Sequence, residues 1–203
     1  QAPKALFLAG IGDTIGKIHE VNCCANAGGK NIFGGQSALT AVVLANASHD
    51  ILLRDAHAAL AALERGEPDA ALERAIEATV LMSGLAFESG GLSVPHALTR
   101  GISLLPGGAA SPHGFQVAYG LVVHHRLLDQ AMPARMLDLY AAAGLPRNLR
   151  DLTGSVVSAD QIAAVARASL PVRHMLNFPR PLDLGQVIAA MDAVEMTATS
   201  SVA

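Results

Sequence analysis

Apolar residues recur at three- and four-residue spacings along most of the chain, and alternating apolar–polar runs of strand length, roughly four to eight residues, are missing. The pattern predicts an all-α protein, a bundle of about eight helices. Leu39 to Glu64 reads as one long Ala/Leu/His-rich helix closed by Gly66, and "DAALERAIEATVLMSGLAF" (69–87) as the next, with Pro68 at its first helical position. The short link between them makes an antiparallel hairpin with a charged, solvated tip. Ser93 ahead of Pro95, and Ser111 directly before Pro112, are expected to cap two further helices. In each, the serine oxygen would accept free N–H groups while proline is tolerated in the first turn. Pro133 opens "PARMLDLYAAAG", which Gly144 ends. Ser158 with Gln161 and Asp183 with Gln186 have capping-box spacing ahead of apolar periodic runs. The closing "TATSSVA" is expected to fray.

Composition sharpens this picture. The 203 residues suffice for a sizeable core, and 51% are hydrophobic, yet only 3% are aromatic and Trp is absent. The core must therefore be assembled from Ala, Leu, Val and Ile, which suits closely packed helices. A net charge of -3 without any basic cluster offers nucleic acid no footprint. The longest uncharged apolar stretch, Ala38 to Ser48, is far shorter than the roughly 20 residues a bilayer requires, and no secretory signal is legible at the start. The expectation is a cytoplasmic protein with no membrane partner. Cys23 and Cys24 are adjacent, which rules out an ordinary disulfide between them, and they read as small residues packed on a helix. The chain opens on Gln1 rather than Met, as a trimmed or partial polypeptide would.

Candidate chemistry begins at "AGIGDTIGKIHE" (9–20). A dinucleotide loop needs G-x-G-x-x-G between a strand and a helix. Gly10 and Gly12 fit, but the third glycine comes one place late at Gly16, "PKALFLA" makes a poor buried strand, and Asp13 would repel a pyrophosphate. The other reading has the glycines bend the chain so that Asp13 enters a helix start as a metal ligand. His96 follows Pro95 and His113 follows Pro112, each in a predicted first turn. Two imidazoles and a carboxylate at such places can converge on one ion, in the three-ligand, open arrangement that suits catalytic zinc. For each residue alone, a satisfied polar role competes with ligation. The helix dipole also opposes a cation on the axis of an N-terminus, so ligation requires lateral approach.

"GIGD" (10–13), "SGLAFESGG" (83–91), "PHAL" (95–98), "HGFQVAYG" (113–120), "GLP" (144–146) and "HMLNFP" (174–179) coincide in order and spacing with a known family. From Pro3 to about Glu195 the chain resembles the all-helical, metal-binding half of glycerol dehydrogenases, in the iron-containing alcohol dehydrogenase superfamily. The resemblance implies that Asp13, His96 and His113 are the metal ligands and that Phe87 lines the substrate pocket. Iron-binding members carry a further histidine four residues after the aspartate; here that position is Lys17, which favours Zn2+ over Fe2+. It further implies an NAD-linked polyol dehydrogenase, homo-oligomeric, oxidising a secondary alcohol to a ketone. Residues 1–203 would be one helical metal-binding domain, with NAD held by an α/β domain that precedes it in the family and is not in these residues. The alternatives are a 2-hydroxycarboxylate dehydrogenase of the same superfamily and a solitary metal-binding or oligomerisation module; dehydroquinate synthase shares the architecture, but "FESGG" favours the dehydrogenase.

Lys17 shares the helix face of Asp13. A cation beside a metal site calls for an intervening anion, so Lys17 is a candidate to bind a substrate carboxylate, against snorkelling to solvent or pairing with Glu20. His19, six residues from Asp13, points to the opposite face. His124 lies about 16 Å along the helix axis from His113 and cannot reach the same ion, so His124 and His125 read as surface or packing residues. His49 and His57 lack acidic companions, and His174 is a candidate supporting residue near the cleft.

Overall fold

The structure, a computed structural model, describes residues 3–200, excepting the side chains of residues 198–200. Eleven α-helices form among the described residues: α1 (Lys4–Ile15), α2 (Lys17–Asn26), α3 (Leu39–Arg65), α4 (Ala70–Glu77), α5 (Ser83–Gly90), α6 (Val94–Ile102), α7 (His113–Leu127), α8 (Ala134–Ala143), α9 (Leu149–Thr153), α10 (Ala159–Ser169) and α11 (Leu184–Ser200). A π-helical segment, Ala78–Met82, joins α4 to α5, and a 3-10 turn, Arg173–Asn177, precedes α11. No strand forms among these residues beyond one isolated bridge between Lys30 and Gln36. None of the described helices is long and apolar enough to cross a membrane.

The architecture is organised around α7, which is apolar on nearly every side and so must be enclosed. Its Tyr119 and Val123 pack into one core with Leu98 and Ile102 of α6, Leu149 of α9, Val165 of α10 and Met191 of α11. Its Ala118 and Leu121 pack into a second with Ile11 and Ile15 of α1, Leu52 of α3, and Leu139 and Tyr140 of α8. Each such Leu, Ile or Val contributes about 1.5–3 kcal/mol on burial. The Tyr140 hydroxyl satisfies itself by donating to the Ala118 carbonyl at 2.8 Å.

The predicted hairpin forms. Asp55 of α3 meets Arg74 of α4 at 2.7 Å, and the Ala38 amide, just before α3, donates to the Ser89 carbonyl of α5 at 2.9 Å, so the chain returns antiparallel along α3. Gly66 closes α3 in the left-handed region at φ 69°. Two details differ from expectation. Pro68 stands before the helix rather than in it: Asp69 is the cap, its carboxylate accepting the Ala71 and Leu72 amides at 3.0 and 2.9 Å. The stretch predicted as one helix also widens to a π segment where the Thr79 hydroxyl bonds the Ala75 and Ile76 carbonyls and its side chain packs over Gly10.

Both late capping boxes form, with Ser158–Gln161 and Asp183–Gln186 bonding reciprocally. Gly144 ends α8 at φ 61°. The two serine caps do not form. Ser111 donates to the Gly107 and Leu152 carbonyls, leaving Pro112 at the cap, and the Ser93 hydroxyl is buried without a partner. Of the tail expected to fray, helix continues through Ser200, and residues 201–203 lie outside the described part.

Candidate metal centre

Asp13, His96 and His113 come from three helices that touch at glycines. Asp13 lies in the last turn of α1, not at a helix start as its neighbouring glycines suggested, because Gly10 and Gly12 lie inside that helix and the break comes after it, at Gly16. Gly12 faces α7 so closely that a Cβ there would lie 2.6 Å from the Gly114 carbonyl oxygen, and a Cβ on Gly114 would run into the carbonyl of Ala9. This backbone crossing sets Asp13 beside His113, the first residue of α7. A second crossing, where a Cβ on Gly120 would lie 2.6 Å from the Pro95 carbonyl oxygen, sets α6 and its His96 against the same helix. The placement also weakens the dipole objection, since the C-terminal end of α1 presents carbonyls that favour a cation.

Asp13, His96 and His113 each offer one ligand atom, and these atoms all lie within 4.8 Å of one another. His96 Nε2 stands 3.2 Å from Asp13 Oδ1, and the two imidazole centroids are 5.2 Å apart. His113 is exposed and the other two are half-buried, so the group opens to one side. Behind it lies Glu20, which the sequence offered only as a partner for Lys17. Glu20 of α2 is fully buried; its Oε2 is 2.7 Å from His96 Nδ1, while its Oε1 accepts the backbone amides of Ser93 and His96 at 3.0 and 3.1 Å. In the neutral tautomer that donates its Nδ1 proton in a hydrogen bond to Glu20, His96 Nε2 carries a lone pair facing a carboxylate oxygen. Two acceptors at that separation need a positive charge between them, and a divalent ion with the donor set of one carboxylate and two imidazoles fits that need.

Lys17 supplies such a charge here. Its side chain is 1% exposed, and its ammonium donates to Asp13 Oδ1 at 2.8 Å and lies 3.3 Å from His96 Nε2. It neither reaches solvent nor pairs with Glu20, and it sits 5.8 Å from the centre of the Phe87 ring, which in turn lies 6.3 Å from His96. Phe87 and Lys17 therefore border the same space as the trio. Burial works to raise the Asp13 carboxyl, but Lys17 and His96 hold it well below the usual carboxylate range. Burial opposes the charge on His96, yet Glu20 and Asp13 raise its pKa. Burial and the neighbouring His96 lower that of His113. A cleft of about 620 Å3 adjoins the site, lined by His96, Thr99, Arg100 and His174 among others. His174, half-buried, thus shares a wall with His96 without reaching the trio.

The remaining histidines divide. His57 is exposed. His19, His49, His124 and His125 meet in the interior, where α2, α3 and α7 come together: the His19 ring centroid is 4.7 Å from that of His125 and 6.0 Å from those of His49 and His124. For His124 and His125, 0% and 4% exposed, the packing reading holds and the surface one does not. His19 Nε2, His124 Nδ1 and both ring nitrogens of His125 are buried without a partner, and among the described residues three ligand atoms do not converge there. Burial depresses all four pKa values, to about 3 for His19 and about 4 for His124. Cys24 is buried on α2, and the half-buried Cys23 has its Sγ 3.9 Å from His124 Nε2.

The chain matches no family model. It is 32% identical over 195 residues to a glycerol dehydrogenase of Escherichia coli, covering 94% of this chain and 53% of that protein. To the glycerol dehydrogenase of Thermotoga maritima it is 30% identical over 200 residues, covering 96% and 54%. It is 27% identical over 205 residues to hydroxycarboxylate dehydrogenase A of Escherichia coli, covering 96% and 55%. The crystal structure of a probable glycerol dehydrogenase from Sinorhizobium meliloti superposes with a TM-score of 0.91 at 29% identity, over 98% of this chain and 57% of that one. The fold is thus the all-helical domain seen in structures of glycerol dehydrogenases. The homologues that cover this chain are glycerol dehydrogenases, and it aligns with their C-terminal part. It spans about half the length of the curated relatives it matches.

Proposed function

We propose that this chain is the metal-holding half of a zinc-dependent, NAD-linked polyol dehydrogenase that oxidises a secondary alcohol to a ketone. The observation that carries the reading is the meeting of Asp13, His96 and His113, with ligand atoms within 4.8 Å of one another, beside an open cleft. These three residues would hold the ion and leave a position free for substrate, and Lys17 in place of a fourth ligand favours zinc over iron. When bound, the ion supplies Lewis acidity, which polarises a substrate oxygen and lowers the pKa of its hydroxyl. The chain's own residues orient and enclose. His113 forms the exposed rim through which substrate enters, the Phe87 ring flanks His96 and Lys17, and Lys17 balances the charge of Asp13 from within. NAD would be carried by an α/β domain joined to this one, in a cytoplasmic homo-oligomer, and accept hydride from the carbinol carbon.

Metal analysis of the chain purified with added zinc, followed by anomalous scattering at the zinc edge, tests the reading. One zinc per chain between Asp13, His96 and His113 supports it; zinc elsewhere, or none, overturns it. Joining the chain to a nucleotide-binding domain of the family should then give NAD-dependent oxidation of glycerol. Loss of that activity with zinc retained would favour a solitary metal-binding module.

A second reading rests on Lys17. Once a cation takes Asp13, the buried ammonium faces that cation, and a substrate carboxylate between them relieves the repulsion. The likeness to hydroxycarboxylate dehydrogenase A agrees with a 2-hydroxy acid as substrate. Lys17→Met in the joined enzyme should then shift preference from a 2-hydroxy acid toward glycerol; an unchanged preference removes this reading.

A further inference from the structure

We infer that Glu20 is a positioning residue of the metal centre, a buried carboxylate that sets the tautomer of His96 so that Nε2, and not Nδ1, is the coordinating atom. The inference rests on the metal reading of Asp13, His96 and His113 and adds a role for a residue two helical turns away from Asp13.

Glu20 is 0% exposed, and a buried carboxylate is costly unless its oxygens are fully used. Here three donors use them. Oε1 accepts the Ser93 amide at 3.0 Å and the His96 amide at 3.1 Å, which anchors the first turn of α6. Oε2, 2.7 Å from Nδ1, anchors the ring of the same residue. The His96 amide alone does not call for a carboxylate: the Ser93 hydroxyl stands at the cap of α6, where a serine oxygen ordinarily accepts the N3 amide, here that of His96, and it is buried and idle. What serine cannot do is take the Nδ1 proton at the same time. Glu20 thereby leaves a lone pair on Nε2, which faces Asp13 Oδ1 at 3.2 Å. A ligating histidine whose second nitrogen is held by a carboxylate is fixed in ring orientation and is a stronger donor.

Glutamine at this position separates the two tasks. If its oxygen keeps the two backbone amides, its NH2 group faces Nδ1, donor against donor. The ring must then carry its proton on Nε2, where the ion has to bind.

The test compares the wild-type chain, Glu20→Gln and Glu20→Asp by competitive zinc titration. It adds NMR of the 113Cd-loaded chain labelled with 15N-histidine, in which metal–nitrogen coupling identifies the ligating atom. The expected results are coupling through His96 Nε2 with the proton on Nδ1 in the wild type, a loss of roughly 10–100-fold in zinc affinity in Glu20→Gln, and a smaller loss with Nε2 coupling kept in Glu20→Asp. Coupling through Nδ1 in the wild type overturns the inference, and this measurement decides it alone should Glu20→Gln not fold. Zinc binding by folded Glu20→Gln within twofold of wild type through the same nitrogen also overturns it, leaving the metal reading intact. A wild-type chain that holds no ion at the trio overturns the metal reading and this inference together.

Discussion

His96 and His113 meet Asp13 beside an open cleft, while His19, His49, His124 and His125 meet one another inside the bundle, and the two groups differ in what surrounds the rings rather than in the rings themselves. In the first, Asp13 and Glu20 supply negative charge, every close nitrogen has a stated partner or opening, and Lys17 balances the excess. In the second, among the described residues, no carboxylate bonds any ring, buried nitrogens stand unpaired, and burial favours the neutral rings. The lesson is that a histidine cluster becomes able to hold a cation through the acids and the access beside it. Without them it is apolar packing with a latent cost on protonation.

Asp13→Ala should break the comparison most severely, lowering zinc affinity by roughly a thousandfold, beyond the 10–100-fold that outer partners carry, and abolishing the thermal shift produced by excess zinc. His19→Phe, in the interior group, should leave zinc affinity unchanged; if it removes zinc binding too, the division into two groups is wrong.

Gly114→Ala forces a Cβ into the Ala9 carbonyl at the α1–α7 crossing. Denaturant unfolding should show a loss of about 1–3 kcal/mol. Zinc affinity should fall with it, because the same crossing sets the distance from Asp13 to His113.

Acid should separate the groups next. The unfolded chain protonates its histidines near pH 6.5, but His19 and His124 resist protonation in the fold down to about 3 and about 4. Between those limits the unfolded state binds more protons, so stability is fully present above pH 6.5 and is lost as pH falls below it. Glu20 and Asp50, the nearest acids, pull the other way without overcoming burial. His19→Phe should flatten the slope of unfolding free energy between pH 4 and 6 by about 1.4 kcal/mol per pH unit.

The smallest expected effect sharpens the role of charge. Lys17→Met removes the ammonium that competes for Asp13, so zinc should bind roughly tenfold more tightly, about 1.4 kcal/mol, while the metal-free chain melts at a lower temperature. Weaker zinc binding in this variant would mean that Lys17 supports the ion.

Much of this molecule could be read along the chain. The α3 hairpin, the Gly66 and Gly144 stops and the two late capping boxes follow from local spacing, because each is decided within a few residues. The three side chains singled out by their places beside proline or glycine do meet. Glu20 was legible only in part: Asp13, Lys17 and Glu20 are spaced i, i+4, i+7, but along the chain Glu20 offers itself as a partner for Lys17, and its bonds to Ser93 and His96 join residues more than 70 positions apart. The idle Ser93 hydroxyl and the interior histidines left no such trace, since a cap supplied from another helix and a cluster drawn from three helices depend on contacts between residues 70 or more positions apart, or 30 or more.

By itself, then, the chain's pattern settled that helices form, where most of them start and stop, and which residue types could bind a cation, because these depend on 3.6-residue periodicity and local capping. Only the tertiary structure decided that Gly12, Gly114 and Gly120 are points where helix backbones meet, and so that Asp13, His96 and His113 share one space. It also decided which histidines face acids and which face only one another. The physical reason is that a backbone approach close enough to exclude a Cβ is a property of two helices at once, and neither helix encodes it alone.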